Sequence, residues 1–505
     1  MASSMLRTGM TGVAAGCVAL LLAGAAAARG GVEPATATEP GDAGRPASTY
    51  RVNVLGFEPP RLSVTADLPI DGRDLRMATT RPGGIPELDA HGWPGLIVDL
   101  RVVDAAGEPL ALAGAGDAGW KLAHPHRGRI TLHYEVDYAP LAARGWPAPR
   151  EAVFTDASHL VLIGRSLFIS TPQTGSSVVA FDLPGAWNIL APWERRSGSG
   201  RDFAVEGVDA LVDNLLALTT GGAETVSAGG FQLHVLPMGH WRPARDEVRR
   251  VMEAVIPQLV ALMRFEERDD YLVVLLPIEE DGGESFRNSF AMTAGTTPSR
   301  ANSTAWGNLL AHEVFHYWNG SRLIGADYAA SQWFQEGFTE YAANLAMTRS
   351  GMIDPGEFVR KLSDHLRNSR RLTTTLEAGG SRKGPPLYGA GALVAFSWDL
   401  LIRDATQSRR SLGDVLRALW DRTGGGRRPY AWREIEAALD ATAPRDWDSF
   451  YRAHIRGSEP LPLGAILPLA GLRLAGENGD APRIDVDPAA SAAARMLWAA
   501  LIEGR

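Results

Sequence analysis

His312-Glu313-Val314-Phe315-His316 lies inside an apolar run, with Leu309-Leu310-Ala311 before it and Tyr317-Trp318 after it. Four residues make about one helical turn, so both imidazoles leave the same face of a helix and can share one metal ion. Glu313 lies beside them, where it can take a proton from a water molecule. With 11 histidines in 505 residues, a chance H-E-x-x-H is roughly a one-in-a-hundred event by composition. The apolar flanks argue against two histidines that merely share a solvated helix face.

A catalytic zinc takes three protein ligands and keeps a fourth position open. The third candidate is in Trp333-Phe334-Gln335-Glu336-Gly337-Phe338-Thr339-Glu340-Tyr341. Nineteen residues separate Glu336 from His316, enough to finish one helix, turn, and come back on a second. A carboxylate among Trp333, Phe334, Phe338 and Tyr341 is costly to bury without a cation partner, and a zinc ion removes that cost. Glu340 is one turn further along the same face, where it can accept the outer N–H of a ligating histidine.

Composition bounds what surrounds this motif. The chain is 21% charged and 45% hydrophobic with net charge −8, the balance of a folded globular protein, and its length suits roughly two to four domains. The acidic balance argues against a general nucleic-acid binder, which needs a basic surface. The one cysteine, Cys17, cannot close an intramolecular disulfide. Lysine occurs only as Lys121, Lys361 and Lys383, a scarcity that reads as genomic base bias rather than as function.

Arg7 is the only charge before a small and apolar stretch from Gly9 to Ala28, centred on Val18-Ala19-Leu20-Leu21-Leu22 and closed by Ala25-Ala26-Ala27-Ala28 and Arg29. Residues 1–28 therefore read as a secretory signal peptide of an exported, periplasmic or secreted, bacterial protein. The alternative is an uncleaved N-terminal membrane anchor, because the stretch nearly spans a bilayer. No later stretch reads as a membrane span. Cys17 precedes the most apolar part of the segment, the wrong order for a lipid-attachment site. Cleavage near Ala28 leaves a mature chain without cysteine, which suits an oxidising compartment.

Residues 29–48, rich in Pro, Ala, Thr and Gly, read as a flexible lead-in. Residues 49–240 carry short β-runs broken by Gly, Pro and Asp, and read as an all-β domain of sandwich or barrel type. Examples are Arg51 to Val54, Leu62 to Ala66, Leu96 to Val103, Leu160 to Ser170 and Gln232 to Leu236. In Ile130-Thr131-Leu132-His133-Tyr134-Glu135-Val136 the strict alternation predicts one buried sheet face. Over 241–472 the period becomes helical, with one buried strand at Tyr271 to Pro277. Residues 473–505 read as a short tail with one Ala-rich helix. The fold class is thus α+β and multidomain, an N-terminal β domain followed by a mainly helical one.

The motifs together resemble a known family. His312-Glu313-Val314-Phe315-His316-Tyr317-Trp318-Asn319-Gly320-Ser321-Arg322-Leu323 is similar to the H-E-x-F-H-x-W-N-x-x-R-L stretch of metallopeptidase family 61, the glycyl aminopeptidase family of gluzincins. Glu336-Gly337-Phe338-Thr339-Glu340-Tyr341 matches its E-G-F-T-x-Y. Leu387-Tyr388-Gly389-Ala390-Gly391-Ala392-Leu393-Val394 resembles its Y-x-K-G-A-L-V helix start. Arg452 to Pro462 resembles the end of its catalytic domain, and Asp209-Ala210-Leu211-Val212-Asp213 an element of its N-terminal domain.

The resemblance implies a thermolysin-like catalytic domain with one zinc per chain, held by His312, His316 and Glu336. It implies Glu313 as general base and Tyr388 as hydrogen-bond donor to the oxyanion. The sequence departs from the family in three places. Gly282-Gly283-Glu284-Ser285-Phe286 stands where the family shows G-G-L-E-H, so Ser285 replaces the glutamate that in related aminopeptidases binds the substrate amine. Ala390 replaces a lysine, and the residues after Leu472 are too few for the family's frequent PDZ domain. Gly282, Gly283, Glu284 and Ser285 remain the candidates for substrate contact.

Two further motifs read as structure. Gly114-Ala115-Gly116-Asp117-Ala118-Gly119 matches G-x-G-x-x-G but precedes a strand-like run rather than a helix, so it reads as a turn. His124-Pro125-His126 has no further ligand cluster near it and reads as a surface loop.

The expectation is an exported zinc metallopeptidase acting on a peptide or protein substrate, aminopeptidase-related but with altered specificity. The alternatives are an endopeptidase with the same chemistry and an inactive zinc-containing peptide-binding protein. Glu313 argues against the last, which has no need of a base.

Overall fold

The alternating stretch from Ile130 to Val136 lies in a long strand. In this computed structural model of the chain it turns Ile130, Leu132, Tyr134 and Val136 inward and Thr131, His133 and Glu135 outward. The structure describes residues 48–78, 92–116, 118–142, 153–196, 200–279, 282–381, 383–476 and 481–504. The expected signal peptide 1–28 and all but the last residue of the expected lead-in 29–48 lie outside the described residues.

The N-terminal unit is built from strands β1 (Ser48–Phe57), β2 (Pro60–Arg76), β3 (Ile97–Asp104), β4 (Leu112–Gly116), β5 (Gly119–Asp137), β6 (Phe154–Asp156), β7 (His159–Ile163), β8 (Ser177–Asp182), β9 (Asn188–Leu190), β10 (Glu194–Arg195), β11 (Asp202–Val205) and β12 (Leu215–Thr219). One sheet has the order β10-β11-β8-β1-β2-β5-β3 with β4 joined to β5, and the other the order β6-β7-β12-β9. Tyr50, Leu62, Val64, Leu132, Phe168, Val179 and Leu218 belong to one shared core. The expected strand Leu160 to Ser170 breaks after Ile163 at a single 3-10 turn. Beyond the turn, the hydroxyls of buried Tyr134 and Tyr50 bond the carbonyls of Leu167 and Ile169, each at 2.9 Å. The apolar pattern continues through this break, but tertiary hydrogen bonds set the backbone path. The Gly114 to Gly119 stretch lies at the β4–β5 turn, where Gly116 pairs with Gly119.

The boundary between the domains falls earlier than expected. Strands β13 (Glu224–Ala228) and β14 (Phe231–Pro237) leave the N-terminal sheets and join β15 (Asp269–Leu275), β16 (Gly282–Ser285) and β17 (Ser289–Thr293) in the order β13-β14-β15-β17-β16. The alternation in β14 marks a strand but carries no address for the sheet it joins. In this sheet Leu233, Val235, Val273 and Leu275 face the helical core, while Leu236, Leu272, Val274 and Ala291 face the β domain. Burial on both faces is why Tyr271 to Leu276 reads as an unbroken apolar run.

The helices of eight or more residues are α1 (Arg245–Met263), α2 (Ser303–Phe315), α3 (Gln332–Arg349), α4 (Pro355–Ser369), α5 (Pro385–Thr406), α6 (Leu412–Arg422), α7 (Trp432–Thr442), α8 (Trp447–His454) and α9 (Ala492–Glu503) among the described residues. Among the described residues, α5 alone is long and apolar enough to cross a membrane, and it lies buried in the protein interior. Pro385 and Pro386 form its first turn, where a missing N–H costs nothing.

Residues 473–505 do not form a free tail. Strands β18 (Leu472–Ala475) and β19 (Arg483–Val486) pair antiparallel. The N–H of Ile484 donates to the Ser363 hydroxyl on α4 at 2.9 Å, and Arg349 on α3 donates to the carbonyl of Leu501. Leu497 and Leu501 enter the helical core.

Candidate active site

The H-E-x-x-H segment forms the last turn of α2. His312 is 2% and Glu313 8% exposed, and His316 caps the helix. The chain then turns sharply through Tyr317 to Arg322. Gly320 has φ +143°, and a Cβ there would come within 2.9 Å of Nδ1 of His316, so only glycine leaves the ring its place.

Asn319 uses this turn twice. Its carbonyl lies 2.9 Å from Nδ1 of His316. Its side-chain amide donates to the carbonyls of Phe334 and Gln335 at 3.1 and 3.0 Å, at the start of α3. A carbonyl can only accept, so Nδ1 of His316 carries the proton and Nε2 presents its lone pair. His312 is fixed in the same way: its Nδ1 lies 3.1 Å from Oε2 of Glu340, whose other oxygen accepts from Asn344 at 2.9 Å. Glu340 thus stands behind His312.

The two Nε2 atoms face each other at 3.1 Å, and Oε2 of Glu336 lies 3.6 Å from that of His312 and 3.3 Å from that of His316. These three side chains form the group able to hold a metal ion among the described residues. Oε2 of Glu336 is buried and accepts no well-formed hydrogen bond. Ligands about 2.0–2.1 Å from a tetrahedral zinc lie about 3.3 Å apart, so the three observed separations fit the ion.

The electrostatics point the same way. Burial alone would lower the pKa of His312, but the nearby carboxylates of Glu336, Glu340 and Glu313 overcome it and raise it to about 10. Burial would raise Glu336, yet His316, His312 and Lys383 hold it well below the usual carboxylate range. Three carboxylates around two imidazoles make a cup for a cation.

Tyr388 lies in the first turn of α5, its ring centroid 6.3 Å from that of His312. Burial, then the charges of Glu336 and Glu313, push its hydroxyl pKa well above 10, so it remains a neutral O–H donor. Helices α3 and α5 bring Glu336 and Tyr388 together by touching backbone to backbone. A Cβ on Gly337 would lie 2.3 Å from Cα of Gly391, and one on Gly391 would lie 2.2 Å from the carbonyl oxygen of Trp333. Ala390 points elsewhere and lines a separate cavity of about 670 Å³ with Leu366, Thr374 and His454.

Strand β16 forms the other wall. Gly282 pairs with Thr293, Gly283 with Met292, Glu284 with Ala291 and Ser285 with Phe290. The Ser285 hydroxyl donates to Oε2 of Glu313 at 3.1 Å. Glu284 shares the face of Ala291, which is turned toward the β domain, so of the four substrate candidates Ser285 reaches the Glu313 carboxylate. His124 and His126 lie on β5, away from this site and without a metal-binding cluster among the described residues.

The sequence reading missed Lys383. Its ammonium, on a side chain 9% exposed, is 3.0 Å from Oε1 of Glu336 and 2.8 Å from the hydroxyl of Tyr328. The scarcity of lysine is the signal the sequence offers for it, and base composition alone accounts for that scarcity equally well. Asn319, Gly320 and the pair Gly337 and Gly391 were visible as motif letters without a physical reason.

Known proteins give the class. A family model described as the M61 peptidase N-terminal domain matches residues 49–215, and one described as M61 glycyl aminopeptidase matches residues 306–377. An aminopeptidase N family protein from Idiomarina loihiensis has the same fold, with a TM-score of 0.67 at 19% identity over 86% of this chain and 81% of that one. An M1 zinc metallopeptidase from Deinococcus radiodurans aligns with a TM-score of 0.48 at 16% identity over 82% of this chain and 95% of that one. No match was found among curated proteins.

The chain is an aminopeptidase-like zinc metallopeptidase, a hydrolase. Its resemblance to metallopeptidase family 61 holds in both domains, the N-terminal match ending just before the sheet that carries β16.

Proposed function

We propose that this protein is an exported peptidase that holds one zinc ion on His312, His316 and Glu336 and hydrolyses peptide bonds with Glu313 as general base. The observation that carries this reading is the convergence of those three ligand atoms with Glu313 and Tyr388 at one buried site. A zinc ion bound there supplies Lewis acidity, polarising the scissile carbonyl and making water acidic enough to attack. Glu313, adjacent to His312, takes the proton of the attacking water and later returns it to the leaving amine. The Ser285 hydroxyl fixes one oxygen of Glu313 and leaves the other for that proton. Tyr388 donates its O–H to the oxyanion that develops on the carbonyl, a bond that strengthens as charge forms. The outer edge of β16 pairs with no other strand among the described residues, and an extended peptide can add to such an edge.

A relaxed or endopeptidase-like specificity is favoured over strict aminopeptidase action, because the side chain beside Glu313 on this wall is the neutral Ser285. Export rests on residues 1–28, with the uncleaved anchor as its alternative. The test is a peptide-library cleavage profile of the mature protein with and without a chelator. Chelator-sensitive cleavage is expected. A protein that binds zinc and peptide yet cleaves nothing would be the inactive binder instead.

A further inference from the structure

The two oxygens of Glu336 have different partners. Oε2 faces both histidine Nε2 atoms and has no hydrogen-bond donor. Oε1 accepts from Lys383, whose ammonium is held in turn by the Tyr328 hydroxyl and lies 5.0 Å from the centre of the Tyr328 ring. The surrounding backbone holds this arrangement. The turn before Lys383 rests on the Tyr328 loop at the contact of Gly380 with Ala329, and the residue after Lys383 begins the turn into α5, which carries Tyr388. One of only three lysines in the chain is therefore spent, nearly buried, on the outward oxygen of a candidate metal ligand.

A carboxylate can give a metal one oxygen or two. A catalytic zinc needs a position open for water and substrate, and a second carboxylate oxygen would occupy it. We propose that Lys383 is a positioning residue that makes Glu336 a one-oxygen ligand, keeping the open position free. This rests on the metal site described above, and it adds a part that neither the H-E-x-x-H segment nor the helix of Glu336 contains. Lys383 reaches the reaction only through Glu336.

Zinc is spectroscopically silent, but cobalt(II) takes the same ligands and reports its coordination number. Four-coordinate cobalt absorbs strongly in the visible, and five- or six-coordinate cobalt weakly. The experiment loads the purified protein with cobalt and compares wild type, Lys383→Met and Lys383→Arg, with circular dichroism to check folding. The wild type should show the strong band. Lys383→Met should lose severalfold of its intensity as the freed oxygen turns to the metal, and Lys383→Arg, which keeps a cationic donor, should retain it. If Lys383→Met does not fold, Lys383→Ala removes the same donor. A purely structural lysine would lower the melting temperature of the variants and leave the band unchanged, which would overturn the proposal. A weak band in the wild type would overturn it too. Wild-type protein that takes up neither cobalt nor zinc would instead remove the metal site itself, and the role of Lys383 with it.

Discussion

Helices α2, α3 and α5 on one side and strand β16 on the other meet at the same site, and they hold their side chains differently. On the helical side each candidate ligand is held from behind by a fixed partner: His312 by Glu340, His316 by the Asn319 carbonyl, Glu336 by Lys383. The backbones behind them touch through Gly337 and Gly391. On the strand side the Ser285 hydroxyl reaches across to Glu313. Under the proposed function, the difference separates chemistry from recognition. Bond cleavage needs atoms held to fractions of an ångström, so its residues are locked by packing and second partners. Recognition of an extended chain draws on strand backbone, which tolerates change in the side chains it carries.

The comparison breaks most clearly at the metal. His316→Ala should remove the bound zinc, from about one ion per chain to near none, and reduce peptide cleavage to background. Metal analysis beside an activity assay checks both. Zinc content unchanged in this variant would mean that the helical side does not hold the ion. Next comes Glu313→Gln, which should retain zinc and the melting profile yet lose about 10³-fold in kcat, since the amide is nearly isosteric but cannot take a proton. Cleavage near the wild-type rate would remove Glu313 from its role. Tyr388→Phe should cost about 10²-fold in kcat with little change in KM, because its hydrogen bond matters most once charge has developed. A rise in KM alone would make Tyr388 a binding residue and move it, in function, to the strand side.

The same division decides what the sequence disclosed. The one-turn spacing of His312 and His316 around Glu313, with Glu336 and Glu340 likewise one turn apart, is periodic, and periodicity survives in one dimension. So does the alternation in β5, whose buried set is the one the pattern named. The partners that close the site are not periodic. Lys383 reaches Glu336 from a turn 47 residues away, and Asn319 reaches α3 through backbone carbonyls. Neither contact leaves a local mark in the chain. The misassigned β13 and β14 belong with these: a strand's pattern states which face is buried, and only tertiary structure states which sheet it joins. The docking of 473–505 was hidden for the same reason, since Ile484 and Leu501 find their partners on α4 and α3, more than a hundred residues away.

The smallest expected effect is the one that best sharpens the contrast between the two walls. A strict aminopeptidase must pair the substrate's ammonium with an anion, and a charge left buried without its partner costs about 2–5 kcal/mol. At about 1.4 kcal/mol per tenfold, an enzyme built that way would prefer a free over an acetylated N-terminus by at least about 30-fold. Here the strand side presents the Ser285 hydroxyl, already donated to Glu313, while Glu284 shares its face with Ala291 and turns to the β domain. The expected ratio of kcat/KM for a matched free and acetylated peptide is therefore within about tenfold. Glu284→Ala should leave that ratio unchanged, because a side chain on the far face of a strand cannot reach the substrate without a bulge. If only the free peptide is cleaved, and Glu284→Ala abolishes that cleavage, the strand does carry an anionic anchor. Recognition would then be fixed as tightly as catalysis, and the contrast between the two walls would fail at the point where it predicts the least.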